Sequence, residues 1–178
     1  MEAGARANRH CSRRAAPEPN GCAVALTGHP HMKAPIRLFH TVDDKLATGA
    51  QPAARDLGWL REQGFDAVVN LNLPTARNYL PEEASLVEGL GMKYVALPID
   101  CSRLSEDQYL AFQRAMESLP DARVFVHCAA NIKSSGFVHV YRVKGRGEDP
   151  KSSLEALEDL GAGHEPKWHA WFERMGAA

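Results

Sequence analysis

The stretch Val124-Phe-Val-His-Cys-Ala-Ala-Asn-Ile-Lys-Ser-Ser-Gly-Phe137 gathers a thiol, an imidazole, a cation and two hydroxyls within a few residues. Val124 to His127 reads as a strand, and a helix is expected to start at Ser134 or Ser135. Cys128 then stands at a strand's carboxyl end, directly before a helix, where α/β sheets bind ligands. Free backbone N–H groups and the helix dipole attract an anion there. The same field favours thiolate over thiol, which makes Cys128 the candidate nucleophile. Small or polar groups at Ala129, Ala130, Asn131 and Ile132 permit close backbone approach, and His127 is placed to order the loop. A buried cysteine is commonly just a small hydrophobe. The loop that follows this one favours the chemical role.

That loop resembles the signature of the cysteine-dependent protein tyrosine and dual-specificity phosphatases: His-Cys, five residues, Arg, then Ser or Thr. His127-Cys128 matches, and Ser135 falls where the family's hydroxyl stands. The cation departs from the pattern, because position 134 is Ser and Lys133 comes one place early. In this the chain resembles a bacterial subfamily, long treated as a domain of unknown function, with a shortened His-Cys-Ala-Ala-Asn-x-Arg-x-Ser-x-Phe loop. His127 to Phe137 matches every fixed position but the arginine. Thr48-Gly-Ala-Gln-Pro52, Glu88-Gly-Leu-Gly-Met-Lys-Tyr94 and Leu97-Pro-Ile-Asp100 resemble its other segments in the right order, so the likeness spans roughly residues 37 to 173.

The resemblance implies a two-step phosphomonoester hydrolysis. A thiolate attacks phosphorus, and water then hydrolyses the phosphocysteine. Backbone N–H groups of Ala129, Ala130, Asn131, Ile132, Lys133 and Ser134 would hold the equatorial oxygens. Ser135 would hydrogen-bond the Cys128 sulfur and improve it as a leaving group. Asp100, at a strand end in the adjacent loop, is the candidate general acid, although an Asp there is often only a turn or cap residue. Asp107 is the fallback, better explained by the helix N-terminus it flanks. Lys133 offers a point charge where arginine offers a planar fork. Losing such a transition-state contact costs roughly 2.7–4 kcal/mol, so activity is expected to be slow. Otherwise Lys133 is a solvent-facing lysine. Arg77 and Arg103 lie in loops that could lean over the pocket, but most loop arginines are simply solvated. Cys101 could form a reversible disulfide with Cys128, against the plainer reading of a buried thiol.

Two other readings compete. A rhodanese-like sulfurtransferase also uses a Cys loop at a helix N-terminus, and a smaller cradle suits sulfur. A non-catalytic phosphate-binding module would explain Lys133 but gives no reason for Cys128. On the phosphatase reading the partner is a phosphorylated protein or a small-molecule phosphate, and no cofactor is needed.

Composition limits the classes further. The 178 residues carry 21 Lys plus Arg and 22 Asp plus Glu, a formal net charge of -1. There is no whole-protein field for nucleic acid or an anionic membrane. No apolar stretch approaches the ~20 residues of a membrane span. The four cysteines, Cys11, Cys22, Cys101 and Cys128, match no zinc spacing. Reduced thiols in the cytoplasm are the simpler expectation. Residues 1 to 35 are rich in Ala, Arg, Pro, Gly and His without periodicity, and read as a disordered tail or an over-extended start, with Met32 a possible initiator. His29 and His31 in that tail are not expected to form a metal site.

The elements that must position the loop lie in residues 36 to 175. Strands are expected at Ile36 to Val42, Lys45 to Gly49, Asp66 to Leu71, Lys93 to Ile99 and Val124 to His127. Helices are expected from Pro52 to Glu62, from Pro81 to Gly89 and from the Ser105 cap to Leu119. Others should run from Ser134 or Ser135 to Gly145, from Asp149 to about Leu160 and from Glu165 to Met175. Glu82 and Glu83 would sit at the positive end of a helix dipole, and Trp168 and Trp171 would pack inward. Alternating strands and helices imply an α/β fold, with a mainly parallel central sheet flanked by helices.

Overall fold

Five strands build the sheet in a computed structural model, which describes residues 1, 33–155, 160 and 165–178. The expected N-terminal tail lies outside the described residues, apart from Met1 and residues 33–35. Lys33–Ala178 forms one compact unit. The strands are β1 (His40–Asp43), β2 (Leu46–Ala50), β3 (Ala67–Asn70), β4 (Lys93–Ala96) and β5 (Val124–Cys128). Their order is β1-β2-β5-β3-β4. Only β1 runs antiparallel to its neighbour; β2, β5, β3 and β4 are mutually parallel. The expected mainly parallel α/β fold is therefore what forms. The central position of β5 places the end of that strand, where the Cys128 loop begins, between the ends of β2 and β3.

The helices are α1 (Leu57–Glu62), α2 (Glu83–Gly89), α3 (Glu106–Glu117), α4 (Ile132–Val140), α5 (Pro150–Glu155) and α6 (Pro166–Met175). A π-helical turn, Tyr141–Gly145, extends α4. The Ser105 cap forms as expected: Ser105 Oγ accepts from Gln108 N, while Gln108 Oε1 accepts from Ser105 N.

Side chains of a strand alternate between faces, and β5 uses this to serve two cores. Val124, Val126 and Cys128 join Phe112 of α3, Phe137 of α4, and Trp168 and Trp171 of α6. Phe125 points the other way, into a core with Leu57 and Leu60 of α1 and Val87 of α2. His127 stacks on that Phe125 ring, at 5.6 Å and 15°.

Several element boundaries differ from expectation for local reasons. Ile36 to Phe39 is not strand, because the chain turns there with Leu38 at φ 52°. β4 ends at Ala96 rather than Ile99, since Pro98 has no N–H for the ladder. The backbone bonds Leu97 N→Asn70 O and Ile99 N→Leu71 O still hold the segment beside β3. α4 begins at Ile132, two residues before the expected Ser134, because Asn131 takes a left-handed conformation (φ 60°) that turns the chain into the helix. Asparagine tolerates that region better than most residues.

Candidate active site

The loop between β5 and α4 is fixed from several sides. Asn131 Nδ2 donates to Leu38 O (2.8 Å) and to Thr48 Oγ1 (3.1 Å). Ala130 bridges to Ala50. Asn78 Nδ2 donates to Ala129 O (2.9 Å). The Thr48-Gly-Ala-Gln-Pro52 segment is thus the frame of the Cys loop. Gly49 also has to be glycine, because a Cβ there would stand 2.8 Å from the Phe125 ring.

Cys128 is 1% exposed. The hydroxyl that reaches its sulfur belongs to Ser134, at 3.5 Å, and not to Ser135 as the resemblance implied. Ser135 Oγ instead donates to the carbonyls of Asn131 (2.6 Å) and Ile132 (3.0 Å), as hydroxyls in a first helical turn often do. α4 starts at Ile132, and its first turn brings the Ser134 hydroxyl to Cys128 while Ser135 turns back on carbonyls of that turn. Ser134 has a single proton and three acceptors in reach: Asn131 Oδ1 (2.7 Å), Gly49 O (3.4 Å) and Cys128 Sγ.

Lys133 Nζ donates to Ile99 O (3.0 Å), so its charge lies at the end of the segment after β4. There it lines a groove of about 780 Å³ with Asp100, Cys101, Lys167 and Arg174. Asp100 is exposed and caps the short turn Cys101–Arg103. Hydrogen bonds from the Ser102 N–H (2.9 Å) and hydroxyl (2.9 Å) hold its carboxyl below the usual carboxylate range, and the Arg103 and Lys133 charges add to this. The cap reading of Asp100 is therefore present in the structure, and those bonds oppose the protonated form a general acid needs. Asp107 is exposed in the first turn of α3. Burial pushes the Cys101 thiol up to about 11, against the lowering effect of Lys133. Cys101 and Cys128 are both free thiols. Arg77 and Arg103 are exposed.

Sequence reasoning missed a polar cluster on the other face of the sheet. Asn70 and Asn72 are 2% exposed, and Glu83, in the first turn of α2 as expected, is also wholly buried. Asn70 Oδ1 accepts from Asn72 N at 2.6 Å. The available signal was two asparagines, at positions 70 and 72, closing an otherwise apolar strand. Buried amides need partners.

The chain matches the model of the family described as DSP-PTPase phosphatase fused to NAD+ kinase over residues 38–167. A candidate phosphatase (DUF442) from Shewanella putrefaciens CN-32 superposes with a TM-score of 0.70 at 29% identity, covering 80% of this chain and 90% of that one. Tk-PTP in its active form gives a TM-score of 0.65 at 22% identity, covering 77% and 95%. TpbA of P. aeruginosa in complex with pTyr gives 0.55 at 16%, covering 83% and 100%. No curated protein matches the chain.

Proposed function

We infer that this chain, which belongs to the family of DSP-PTPase phosphatases fused to NAD+ kinase, hydrolyses phosphomonoesters through a phosphocysteine on Cys128. One observation carries the reading. A cysteine at the carboxyl end of the central strand faces a helix start and has a hydroxyl, Ser134, beside its sulfur. The thiolate attacks phosphorus and the ester oxygen leaves with a proton. Water then attacks the phosphocysteine and frees phosphate and the thiol. Backbone N–H groups from Ala129 to Ser134 hold the phosphoryl oxygens as charge spreads over them. As the sulfur becomes a leaving group, rotation of the Ser134 hydroxyl brings its proton from Asn131 to Cys128 Sγ.

Asp100 acts as general acid after giving up its bonds to Ser102. Lys133 supplies the loop's positive charge after release from Ile99 O. Its single point of contact makes the enzyme slower than an arginine-bearing relative. The substrate is a phosphorylated protein or a small-molecule phosphate. TpbA's complex with pTyr is a parallel for the first, and the citrate bound to the PP-IP phosphatase SIW14 of S. cerevisiae shows a small polyanion on a related fold. Among the described residues no helix is long and apolar enough to cross a membrane.

Mass spectrometry after brief exposure to an aryl phosphate or to thiosulfate tests the chemistry. A phosphate adduct on Cys128, absent in Cys128→Ser, is expected. A persulfide from thiosulfate with no phosphate adduct would replace the phosphatase reading with sulfur transfer. Lys133→Arg is expected to raise kcat/KM on aryl phosphates about tenfold, since the fork recovers a second contact worth ~1–2 kcal/mol.

A further inference from the structure

Behind the Cys loop, on the face of the sheet opposite Cys128, Glu83 is surrounded by donors. Its Oε1 accepts from Gln51 Nε2 (2.9 Å), and its Oε2 accepts from Asn70 Nδ2 (2.7 Å) and Tyr94 OH (3.2 Å). Burial, with the Glu83 charge beside it, pushes the Tyr94 phenol well up, so Tyr94 keeps the proton it donates. His127 Nε2 stands 3.1 Å from Glu83 Oε1 but is out of line for a hydrogen bond. Neither ring nitrogen of His127 has an aligned partner among the described residues, and Glu83 and His127 are both 0% exposed.

A pair of this kind is an odd choice for stability alone. Well-packed apolar residues of similar volume usually serve as well, and an unaligned buried imidazole carries a desolvation cost. The cluster has two routes to the loop. The His127 backbone leads directly into Cys128. The second route runs by side chains. Asn72 Nδ2 donates to Gln51 Oε1 (3.1 Å) and to Asn78 Oδ1 (3.5 Å), and Asn78 Nδ2 donates to Ala129 O. Because a peptide is planar, anchoring the Ala129 carbonyl also fixes the direction of the Ala130 N–H, one of the donors of the phosphate cradle.

We propose that Glu83 is a positioning residue for the Cys128 loop, acting through His127 on one side and through Gln51, Asn72 and Asn78 on the other. The proposal rests on Cys128 being the reactive group of this site. It assigns Glu83 no contact with substrate. It predicts that disturbing the cluster changes the chemistry of the loop more than the affinity of the site.

The test uses two variants of the full chain. Glu83→Gln keeps the volume but sets an amide donor among three donors. Asn78→Ala cuts the exposed end of the second route, where no core packing is lost. Cooperative melting, kcat and KM on an aryl phosphate, and the rates of Cys128 and Cys101 alkylation by iodoacetamide are measured. Both variants are expected to melt cooperatively, with kcat down about tenfold and KM within about threefold, the signature of a contact used in the transition state. Cys128 alkylation should change by a comparable factor while Cys101 alkylation does not. Folded variants with kcat and Cys128 alkylation within about twofold of the parent would overturn the proposal. If Glu83→Gln fails to fold, Asn78→Ala alone decides. If the parent turns over no phosphate ester, the alkylation comparison still decides, separately from the phosphatase reading.

Discussion

At the scale of single residues, the two serines of the loop make opposite predictions. Ser134 Oγ is the hydroxyl beside the sulfur, while Ser135 Oγ is tied to its own helix. Ser134→Ala should let phosphocysteine accumulate, seen as a burst of product followed by a slow steady state. Ser135→Ala should turn over normally. The reverse outcome would return the role to Ser135. Asp100 and Ser102 give a second test. The Ser102 bonds favour ionised Asp100, so its acid form is scarce near neutral pH. If Asp100 is the acid, activity on alkyl phosphates falls as pH rises through its pKa. Ser102→Ala removes the hydroxyl bond, raises that pKa and moves the falling limb to higher pH. Asp100→Asn should slow alkyl phosphates ~10²–10⁴-fold while sparing nitrophenyl phosphate, whose nitrophenolate leaves without a proton. The same depressed pKa also bears on stability. The folded carboxyl binds its proton less readily than the unfolded one, so its contribution is present above the unfolded pKa and lost as pH falls through the folded one.

At the scale of elements, α4 is the demanding part. Every residue from Ser134 to Val140 is buried. A Cβ on Gly136 would stand 2.6 Å from the Trp168 ring of α6. Gly136→Ala gains helix propensity but overpacks this contact, and about 1–3 kcal/mol of destabilisation in urea titration is expected. A neutral or stabilising result would mean that α6 yields easily. The helices were legible wherever periodicity and caps agreed, as at Ser105 and Gln108. The start of α4 was not, since a short apolar helix has no polar face to mark its limits. Its true beginning depends on the left-handed Asn131, whose side chain is held by Leu38 and Thr48, residues far away in the chain. Which hydroxyl reaches the sulfur follows from that helix start, and local spacing cannot reveal it.

At the scale of the whole molecule, the alternation of strands and helices was enough to read the parallel sheet, and the Cys loop was legible as a motif. The Glu83 cluster was hidden because its members come from four separate segments, joining Gln51, Asn70, Glu83 and Tyr94. Each residue alone has an ordinary explanation: a turn amide, a strand end, a helix-start acid and a strand aromatic. Only the sheet order, with β5 between β2 and β3, brings them together beneath one loop.

The ties of that loop reach far along the chain, to partners 93, 83, 85 and 51 residues away. Such contacts form late, because the intervening chain must be ordered before they can close. An intermediate that has built α3 and β5 therefore holds Cys128 without its cradle. If Cys128 is the reactive thiol proposed above, pulse alkylation during refolding should show its reactivity returning in the slowest phase, together with β1 and β2, and after helical signal has recovered. Reactivity that returned with the helices would mean that the loop is shaped by its neighbours in sequence. During synthesis each of these partners, Leu38, Thr48, Gly49 and Asn78, is made before Cys128, so the loop can close as soon as β5 and α4 have joined the sheet.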